Sequence, residues 1–520
     1  MNRFYRWGSG LAVGLAFAFA GAAYAEDITL FSADGALQVS GTLLNYDGEF
    51  YTIQSRFGEL TLNALGLTCQ GAACPDPGLY AADLSLSGAS AMVLDLLPGL
   101  IEDFGFSTGH DTKRIDLSHT EWTYFVADKA RIPVARLQAR ANNSTDAIGD
   151  LINGDTDLAF ATRRPDKDEL KAAKKARIGE PKTPFRQQII AIDALVFIVS
   201  KSNPVSALSL ADIAAIYAGE ISNWSQLGGY DAPIAVFHHL PDSDLAAAFT
   251  SATFPETPDQ PLRPGRIFGD ARDLSDAITQ DPFAIGYTSF GAVRNARVLS
   301  LKGDCGILQP PDSFSLKAGD YPLIRFLYAI APSRRLPLFA RNFLAYLDGE
   351  PAQQSIADLG FVAQDIERRS LSEQQDRLSN AIMQADYEVG LEDLRSFVTT
   401  FQGAERLSAT LRFLDGSTAM DARSSRNLRI LSQMIETGDF DGRELVIAGF
   451  SDSQGGKLGN QRLSQQRADL VLSALKSHAT RANLSRVTFT TIGLGEISPL
   501  ACNDDEAGRH LNRRVEIWLR

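Results

Sequence analysis

The sequence predicts a multidomain α/β protein that begins with a small all-β module and ends with a β/α sandwich. Three observations lead to this fold class. Short strand-like runs separated by turn signals fill residues 26–80, strands and helices alternate from about residue 84 to residue 365, and two helices alternate with four strands from residue 404 onwards. A chain of 520 residues has room for two to four such domains.

Residues 1–25 have the composition of a secretory signal. Arg3 and Arg6 form a short basic region, residues 11–23 form an apolar stretch too short to cross a bilayer, and Ala23-Tyr24-Ala25 is a small-residue cleavage site. We therefore expect export to the periplasm and a mature chain that begins at Glu26, with an uncleaved membrane anchor as the alternative. No later stretch approaches the roughly 20 apolar residues of a membrane helix, so we expect a protein that does not span a membrane.

The acidic composition excludes one class of partner. The formal charge is −13, and loss of Arg3 and Arg6 with the signal would take it to −15. Nucleic acid is not expected as a partner, because its phosphates require a basic surface.

The four cysteines invite disulfides in an oxidising compartment. Cys69 and Cys74 flank a short turn and could close a small loop, whereas Cys305 and Cys502 could bridge two domains or remain buried thiols. Four cysteines allow three pairings, and the sequence does not choose among them.

Four modules follow the signal along the chain. Residues 26–80 form a small β domain, in which turn signals such as Asp34-Gly35 and Asp47-Gly48 separate the strand-like runs. Residues 81–365 alternate between strand and helical patterns, which argues for α/β layers. Residues 366–403 have helical spacing and are expected to form a connector, with a short coiled coil as the alternative. Residues 404–520 follow the order β/α/β/α/β/β, with the second helix expected over residues 463–478.

The final domain carries an ordered motif. Gly449 to Gly455 is followed by Asn460, Leu463-Ser464, Arg467-Ala468, Gly493-x-Gly495-Glu496, Pro499, Gly508-Arg509 and Asn512 to Glu516. Over about 115 residues this pattern resembles the OmpA-like C-terminal peptidoglycan-binding domain. The resemblance implies that Asp452 takes the ammonium, and Arg467 the carboxylate, of the diaminopimelate residue in the stem peptide of the wall.

The chemistry of these residues agrees with such a ligand. A zwitterion needs one anion and one cation a few Å apart, and a planar guanidinium clasps a carboxylate in a fork. The N-terminus of the helix that carries Ser464 is expected to add donors. The alternative is a structural ion pair between Asp452 and Arg467, and we expect one of the two arginines at 513 and 514 to support the site. The predicted peptidoglycan-binding residues are Asp452, Asn460, Leu463, Ser464, Arg467, Arg509, Asn512, Arg513 and Arg514.

The middle module carries a second family pattern. The runs 193–199, 203–205 and 208–229, together with Asp281-Pro282-x-Ala284-Ile285-Gly286-Tyr287, resemble the phosphate-type periplasmic substrate-binding proteins. The resemblance covers roughly residues 84–364. It implies the two-lobed type II periplasmic-binding-protein fold with an anion in the cleft, and crossover strands near residues 189–200 and 284–288.

Candidate anion ligands lie at predicted helix starts and strand ends. Hydroxyl groups and helix N-termini are the groups that such clefts use, although serine and threonine also cap helices when no ligand is present. The candidates are Ser87, Ala89, Ser90, Ser144, Thr145, Thr162, Arg163, His239 and Ser243.

One loop departs from the pattern of the resembled family. That family usually carries Arg and then Ser-Gly-Thr before a helix, whereas His239, Asp244 and Leu245 stand at the Arg, Gly and Thr positions here. Carboxylates at Asp242 and Asp244 would repel a phosphate dianion. We therefore expect weak phosphate binding or none, unless Arg163 or its neighbour Arg164 compensates.

These features predict a binding protein and not an enzyme. The six histidines show no zinc-protease spacing, and the sequence contains no nucleophile elbow and no phosphate-binding Gly-Lys loop, so neither metal nor cofactor is expected. The predicted function is a periplasmic solute-binding-like protein held non-covalently on peptidoglycan, near the outer membrane of a Gram-negative cell. Its middle domain would bind phosphate or another small anion, for sensing or for an ABC permease. The alternative is an envelope scaffold or interaction protein whose binding domain has lost its ligand.

Overall fold

The computed structural model describes residues 27–76, 78–180, 182–385, 388–413 and 419–520. The predicted signal, residues 1–25, and its cleavage point before Glu26 lie outside the described residues. Within the described ranges, no helix combines the length and the apolar character that crossing a membrane requires.

The N-terminal module is a single antiparallel sheet. Two of its turns place glycine in the left-handed region, with φ of 90° at Gly48 and 100° at Gly58, as the turn signals predict. The strand order is β4-β3-β2-β1-β5. The strands are β1 (Asp27–Ser32), β2 (Gln38–Tyr46), β3 (Phe50–Ser55), β4 (Gly58–Asn63) and β5 (Leu67–Gln70).

The middle domain alternates strands and helices in two lobes. The first lobe and the crossover that follows it contain β6 (Ala82–Ala89), α1 (Leu97–Ser107), β7 (Asp111–Asp116), β8 (Glu121–Ala127), β9 (Pro133–Asn142), α2 (Ser144–Asn153), β10 (Leu158–Ala161), α3 (Lys167–Ala176) and β11 (Phe185–Val199). The second lobe contains β12 (Ala207–Leu208), α4 (Leu210–Ala218), β13 (Ala235–His239), α5 (Asp244–Thr253), β14 (Arg266–Phe268), α6 (Ala271–Gln280), β15 (Ala284–Ser289), β16 (Arg297–Val298), β17 (Ser300–Lys302), β18 (Leu308–Gln309) and α7 (Ser313–Ala318). The chain then returns to the first lobe through β19 (Ile324–Pro332), α8 (Leu338–Leu347) and α9 (Glu350–Asp358).

Two long strands join the lobes. In β11, every residue from Ile190 to Val199 is buried, as expected for a strand covered on both faces. Its first part pairs with β19, from Phe185 opposite Pro332, and its last part pairs with β15. The sequence expectation of a crossover at residues 284–288 is therefore wrong. Strand β15 lies within the second lobe, between β13 and β11, and β19 is the second crossover.

The C-terminal part of the chain forms one packed unit. Phe397 and Phe401 of the predicted connector are fully buried, and the Phe401 ring stacks on Trp518 with centroids 4.2 Å apart. The sheet order is β20-β21-β24-β22-β23. Its elements are β20 (Arg368–Ser370), α10 (Gln375–Met383), α11 (Leu391–Phe401), β21 (Glu405–Leu407), α12 (Ala422–Thr437), β22 (Glu444–Gly449), α13 (Lys457–His478), β23 (Thr488–Gly493), α14 (Glu506–Asn512) and β24 (Val515–Leu519).

A buried network of charges connects this unit to the second lobe. Asp320, after α7, accepts from Arg406 of β21 at 2.6 Å. Glu516 of β24 is fully buried and lies 2.9 Å from Arg377 and 2.7 Å from Arg514. Burial alone would raise the pKa of Glu516, but the surrounding arginines hold it well below its usual range. Removing one member of such a network leaves an uncompensated buried charge, at a cost of about 3–5 kcal/mol.

The C-terminal domain also contacts the crossover strand β19 and the first lobe. The guanidinium of Arg423 in α12 lies 5.5 Å from the ring centroid of Phe326 in β19. One turn further along α12, Arg426 pairs with Asp348, between α8 and α9, at 3.2 Å. The C-terminal domain therefore contacts both lobes as well as one of the strands that join them.

Two disulfides are formed. Cys69 pairs with Cys74 and closes a small loop after β5. Cys305 pairs with Cys502, which bonds the second lobe covalently to the C-terminal domain. Of the two arrangements that the sequence left open for Cys305 and Cys502, the structure has the bridge between domains.

We predict that the disulfide between domains contributes more stability than the small loop. In the chain-entropy model, closing 197 residues is worth roughly 5 kcal/mol and closing 5 residues roughly 2 kcal/mol. The double variant Cys305→Ser/Cys502→Ser should therefore lose more unfolding free energy in urea than the matched control Cys69→Ser/Cys74→Ser. Equal losses, or a larger loss in the control, would contradict this assignment.

Candidate functional site

A cavity of about 340 Å³ lies between the two lobes. Five of the nine candidate anion ligands line it, namely Ala89, Ser90, Thr162, His239 and Ser243. Ser87, by contrast, donates to Asp150 at 2.6 Å and so is held by a neighbouring side chain. The first lobe thus supplies the ends of β6 and β10, and the second lobe supplies the end of β13 and the start of α5.

The first residue of helix α2 binds a carboxylate side chain of the protein itself. The Ser144 N–H is 3.1 Å from both Asp244 oxygens, and the Ser144 hydroxyl donates to Asp244 at 3.0 Å. A helix N-terminal N–H with an adjacent hydroxyl is a favourable seat for an oxyanion. Ser144 belongs to the first lobe and Asp244 to the second, so this contact joins the two lobes across the cleft. Burial raises the pKa of Asp244, although the Ser144 bonds partly offset that rise.

The arginine that could have compensated for the altered loop is engaged elsewhere. Arg163 binds both oxygens of Glu169, at 2.7 and 2.8 Å, and donates to Thr145 at 2.9 Å. Arg164 donates to the Tyr328 hydroxyl at 3.2 Å. Arg163 and Thr145 therefore form a side-chain cluster beside α3 and are not among the residues that line the cavity.

His239 supplies no positive charge to the cleft. It is buried, and its Nε2 lies 3.0 Å from the Tyr287 carbonyl oxygen, so Nε2 carries the proton and donates. Burial lowers the pKa of His239 to about 4, which leaves the ring neutral at pH 7. Ser243 caps α5 by accepting from the Ala246 N–H at 3.2 Å. This is the ordinary capping role that the sequence also allowed.

The sequence did not identify the charged groups at the back of the cleft. Arg325, on the crossover β19, lines the cavity and donates to Asp193 at 2.6 Å, and Asp193 also accepts from Ser289 at 2.7 Å. Arg272 of the second lobe pairs with Asp95 of the first at 3.1 Å. Placing the second crossover at residues 284–288 left Arg325 out of the predicted site, because only the crossover strands run through the cleft.

The predicted peptidoglycan site lies at the end of β22. Asp452 is 8 % exposed, and its carboxylate accepts from Arg513 at 2.9 Å and from the Gln454 N–H at 3.2 Å. Arg467 is half-buried, and its Nη1 has no hydrogen-bond partner among the described residues. Burial, and then the neighbouring Arg513, lower the pKa of Arg467. Asp452 is thus paired with Arg513 and not, as the alternative held, with Arg467.

The other predicted residues surround this pair. Asn512 accepts from the Leu500 and Ala501 N–H groups, and Arg509 donates to the Asn503 carbonyl at 2.9 Å, so both hold the loop beside Asp452. Arg514 is fully buried with its guanidinium 4.1 Å from the Phe450 ring centroid. Leu463 is 42 % exposed, Asn460 is buried, and the Ser464 hydroxyl accepts from the Gly495 N–H at 2.9 Å.

The helix that carries Arg467 begins earlier than the sequence predicted. Helix α13 starts at Lys457, so Ser464 lies in its third turn, away from the helix N-terminus. The Lys457 N–H donates to Glu388 at 3.0 Å, so the start of the helix is occupied by the preceding segment. The expectation that the N-terminus of this helix adds donors beside Ser464 is therefore wrong. A carboxylate bound by Arg467 would receive no hydrogen bonds from the N–H groups at the start of α13.

Two family models match the chain. Residues 124–350 match a PBP superfamily domain, and residues 412–513 match the OmpA family. The middle domain is therefore a PBP superfamily domain with the type II periplasmic-binding-protein fold, and the C-terminal domain is an OmpA-family domain. Both family predictions and the predicted fold class are confirmed.

Curated relatives match the two parts separately. The phosphate-binding protein PstS of Bacillus subtilis is 29 % identical over 174 residues, which is 33 % of this chain and 56 % of that protein. The outer membrane porin F of Pseudomonas fluorescens is 44 % identical over 70 residues, which is 14 % of this chain and 20 % of that protein. The chain thus spans less than two thirds of the length of either relative.

Solved structures resemble the middle domain. An ABC-type phosphate transport receptor from Vibrio cholerae is 21 % identical, with a TM-score of 0.40, and the match covers 54 % of this chain and 99 % of that one. PstS from Borrelia burgdorferi is 17 % identical, with a TM-score of 0.38, over 54 % of this chain and 98 % of that one.

We predict that Asp95 makes the protein less stable as the pH rises through 6. Burial, and then the nearby Asp270, raise the pKa of Asp95 from 3.8 to about 6, although Arg272 opposes the shift. A carboxyl with a raised pKa contributes most stability below its unfolded pKa and loses that contribution as it ionises. Relative to Asp95→Asn, the wild type should lose about 2–3 kcal/mol of unfolding free energy between pH 4 and pH 7, measured in urea. Parallel curves for the two proteins would contradict the assignment.

Proposed function

We propose that this chain, which joins a phosphate-type binding-protein domain to an OmpA-family domain, is a peptidoglycan-anchored protein of the Gram-negative periplasm whose cleft does not take up phosphate. The observation that carries the proposal is the Asp244 carboxylate on the Ser144 N–H and hydroxyl. This carboxylate occupies the seat at the start of α2 that an oxyanion would need.

Carboxylates also dominate the rest of the cleft, where Arg325 lines the cavity but is paired with Asp193. Asp242 and Asp270 line the same cavity as Asp244. His239 is neutral at pH 7 because burial lowers its pKa to about 4. To bind at the start of α2, a phosphate dianion would have to displace the Asp244 carboxylate. The dianion would then lie in a cavity lined by carboxylates, and like charges in a half-buried cleft repel by several kcal/mol.

The wall-binding half of the proposal depends on Asp452 and Arg467. The Nη1 of Arg467 has no hydrogen-bond partner among the described residues, and the N–H groups of a guanidinium donate to the oxygens of a carboxylate. Asp452 is already held by Arg513, so it is positioned before any ligand arrives. An ammonium group of the ligand would bind the lone pairs of Asp452 that Arg513 leaves open. The match to the OmpA family supports the same ligand class.

A second candidate function is the capture of phosphate for an ABC permease. The relatives of the middle domain favour it, since the Bacillus subtilis protein is named as phosphate-binding. The cavity is also retained, at about 340 Å³. This candidate requires Asp244 to leave Ser144 when phosphate enters, and a phosphate titration separates it from the first.

We predict that Arg467→Ala and Asp452→Ala each weaken binding to purified peptidoglycan sacculi roughly tenfold or more. Each substitution removes a charge-assisted contact worth ~1.5–3 kcal/mol. The matched control is Arg462→Ala, because Arg462 is exposed on the same helix α13 and its guanidinium donates to the Leu458 carbonyl. Co-sedimentation measures the bound fraction. If both variants sediment like the wild type while folded, Asp452 and Arg467 do not form the wall site.

We predict that the full chain shows no micromolar affinity for inorganic phosphate by isothermal titration calorimetry at pH 7.5. Asp244→Gly frees the Ser144 N–H and hydroxyl, and phosphate affinity should rise roughly tenfold or more over the wild type. Asp242→Gly is the matched control, since Asp242 lines the cavity without contacting Ser144 and should give a smaller gain. Micromolar binding of phosphate by the wild type would overturn the proposal that the cleft does not take up phosphate, and would favour phosphate capture for an ABC permease.

A further inference from the structure

Helix α3 carries a basic face on a protein that is acidic as a whole. Lys167, Lys171, Lys174 and Lys175 belong to this helix, and Arg177 is its C-terminal capping residue. All five side chains of this basic face are exposed, whereas the formal charge of the chain is −13. Positions i, i+4 and i+7 lie on one side of a helix, so the first three lysines form a stripe about 10 Å long.

The opposite side of α3 attaches the helix to the first lobe. Ala173 is fully buried in a cluster of residues that includes Tyr328 and Ile330 of β19. Leu170 and Ile178 pack against the same cluster and are partly buried. The basic face therefore lies on the outer side of a helix that the core holds in place.

The acidic residues at the start of α3 are engaged and do not neutralise the lysines. Asp166 caps the helix by accepting from the Asp168 and Glu169 N–H groups at 2.9 and 2.8 Å. The Glu169 carboxylate binds the Arg163 guanidinium at 2.7 and 2.8 Å. Among the described residues, none of the five side chains of the basic face has an ion-pair partner.

The stability of the helix does not explain all of this charge. A cation in the last turn interacts favourably with the helix dipole, which accounts for Lys174 and Lys175, but a cation at the first helical position, where Lys167 lies, opposes the dipole. Arg177 has a φ of 56°, in the left-handed region where a helix end favours glycine. Basic residues thus occupy positions that local structure disfavours, which indicates a role in binding.

Unpaired cations on one exposed face complement a surface of negative charge. Clusters of four or more lysines and arginines on a helix are typical of segments that bind anionic phospholipids, and each cation near the surface raises the affinity roughly fivefold. An anionic bilayer repels an acidic protein, so this face is the one that can approach it. The exposed residues between the lysines include Ala172 and Ala176, which are too small to insert into the bilayer, so the attraction is electrostatic.

We propose that the basic face of α3 binds the surface of an anionic phospholipid bilayer. The inference goes beyond the proposed function, which gives a partner to the C-terminal domain and none to the outer surface of the first lobe. If the C-terminal domain is bound to peptidoglycan, as proposed above, the same chain links the wall to a membrane.

The test is co-sedimentation of the full mature chain with vesicles made of three parts phosphatidylcholine and one part phosphatidylglycerol. We expect binding at about 0.02 M salt and release at about 0.5 M, because concentrated salt screens charges beyond a few Å. Vesicles of phosphatidylcholine alone should not bind the protein. No binding to the anionic vesicles at low salt, or equal binding to both kinds of vesicle, overturns the proposal.

Two triple variants test the lysine stripe itself. Lys167→Gln/Lys171→Gln/Lys174→Gln removes its charge with residues that favour a helix, and its affinity for the anionic vesicles should fall at least tenfold. Lys167→Arg/Lys171→Arg/Lys174→Arg keeps the charge and should bind like the wild type. Circular dichroism establishes that both variants are folded. Wild-type affinity in the folded glutamine variant overturns the proposal.

A matched control separates the basic face from the overall charge of the protein. Lys113→Gln/Lys201→Gln/Lys302→Gln removes three exposed lysines that lie outside α3, so it changes the net charge by the same amount. This control should bind the anionic vesicles like the wild type. A loss equal to that of the α3 variant would show that net charge decides the binding, and would overturn the assignment to α3.

Purified sacculi distinguish this inference from the proposed function. The glutamine variant of α3 should sediment with sacculi like the wild type, because the proposed wall site lies in the C-terminal domain. Loss of sacculus binding with vesicle binding retained would assign the basic face to the wall and overturn this inference. Failure of the wild type to bind sacculi would contradict only the proposed function.

Discussion

The start of α2 can hold one anion, and in this protein the Asp244 carboxylate holds that place. The Ser144 N–H and hydroxyl both donate to it, so the favourable charge of the helix N-terminus is already satisfied inside the chain. The two residues lie 100 positions apart and in different lobes, so the same contact brings the lobes together. A side chain of the second lobe is therefore the group that satisfies the start of α2 in the first lobe. What remains in the cleft is the space around Arg325 and Asp95.

A second constraint fixes the position of this cleft relative to the C-terminal domain. The C-terminal domain is attached to the second lobe by the buried network around Glu516 and by the disulfide Cys305–Cys502. Cys502 is followed by Asn503, whose side chain accepts from the Ser453 N–H in the loop that carries Asp452. The loop of the predicted wall site is therefore held to the binding-protein domain through the neighbouring residues Cys502 and Asn503. The contacts of α12 with β19 and with Asp348 extend this attachment to both lobes.

Much of this arrangement could be predicted from the sequence, because it depends on local patterns. Motif order identified both families, and the unusual Asp244 indicated an altered anion loop before any contact was known. Its partner Ser144 could not be predicted, since pairing across the lobes depends on tertiary structure. Arg325 was missed because residues 284–288 were predicted as the second crossover, and only the pairing of β15 and β19 with β11 shows which strand crosses. The true start of α13 was missed because glycine and asparagine near residue 460 read as a loop.

The measurement that tests the central claim most directly is a crystal structure of the mature protein, determined from crystals grown in 50 mM phosphate. The account predicts that the Asp244 carboxylate remains about 3 Å from the Ser144 N–H and that no phosphate lies at the start of α2. A phosphate ion bound to the Ser144 N–H and hydroxyl, with Asp244 turned away, would contradict it. That result would show that Asp244 is a displaceable substitute for the ligand and that the domain still captures phosphate.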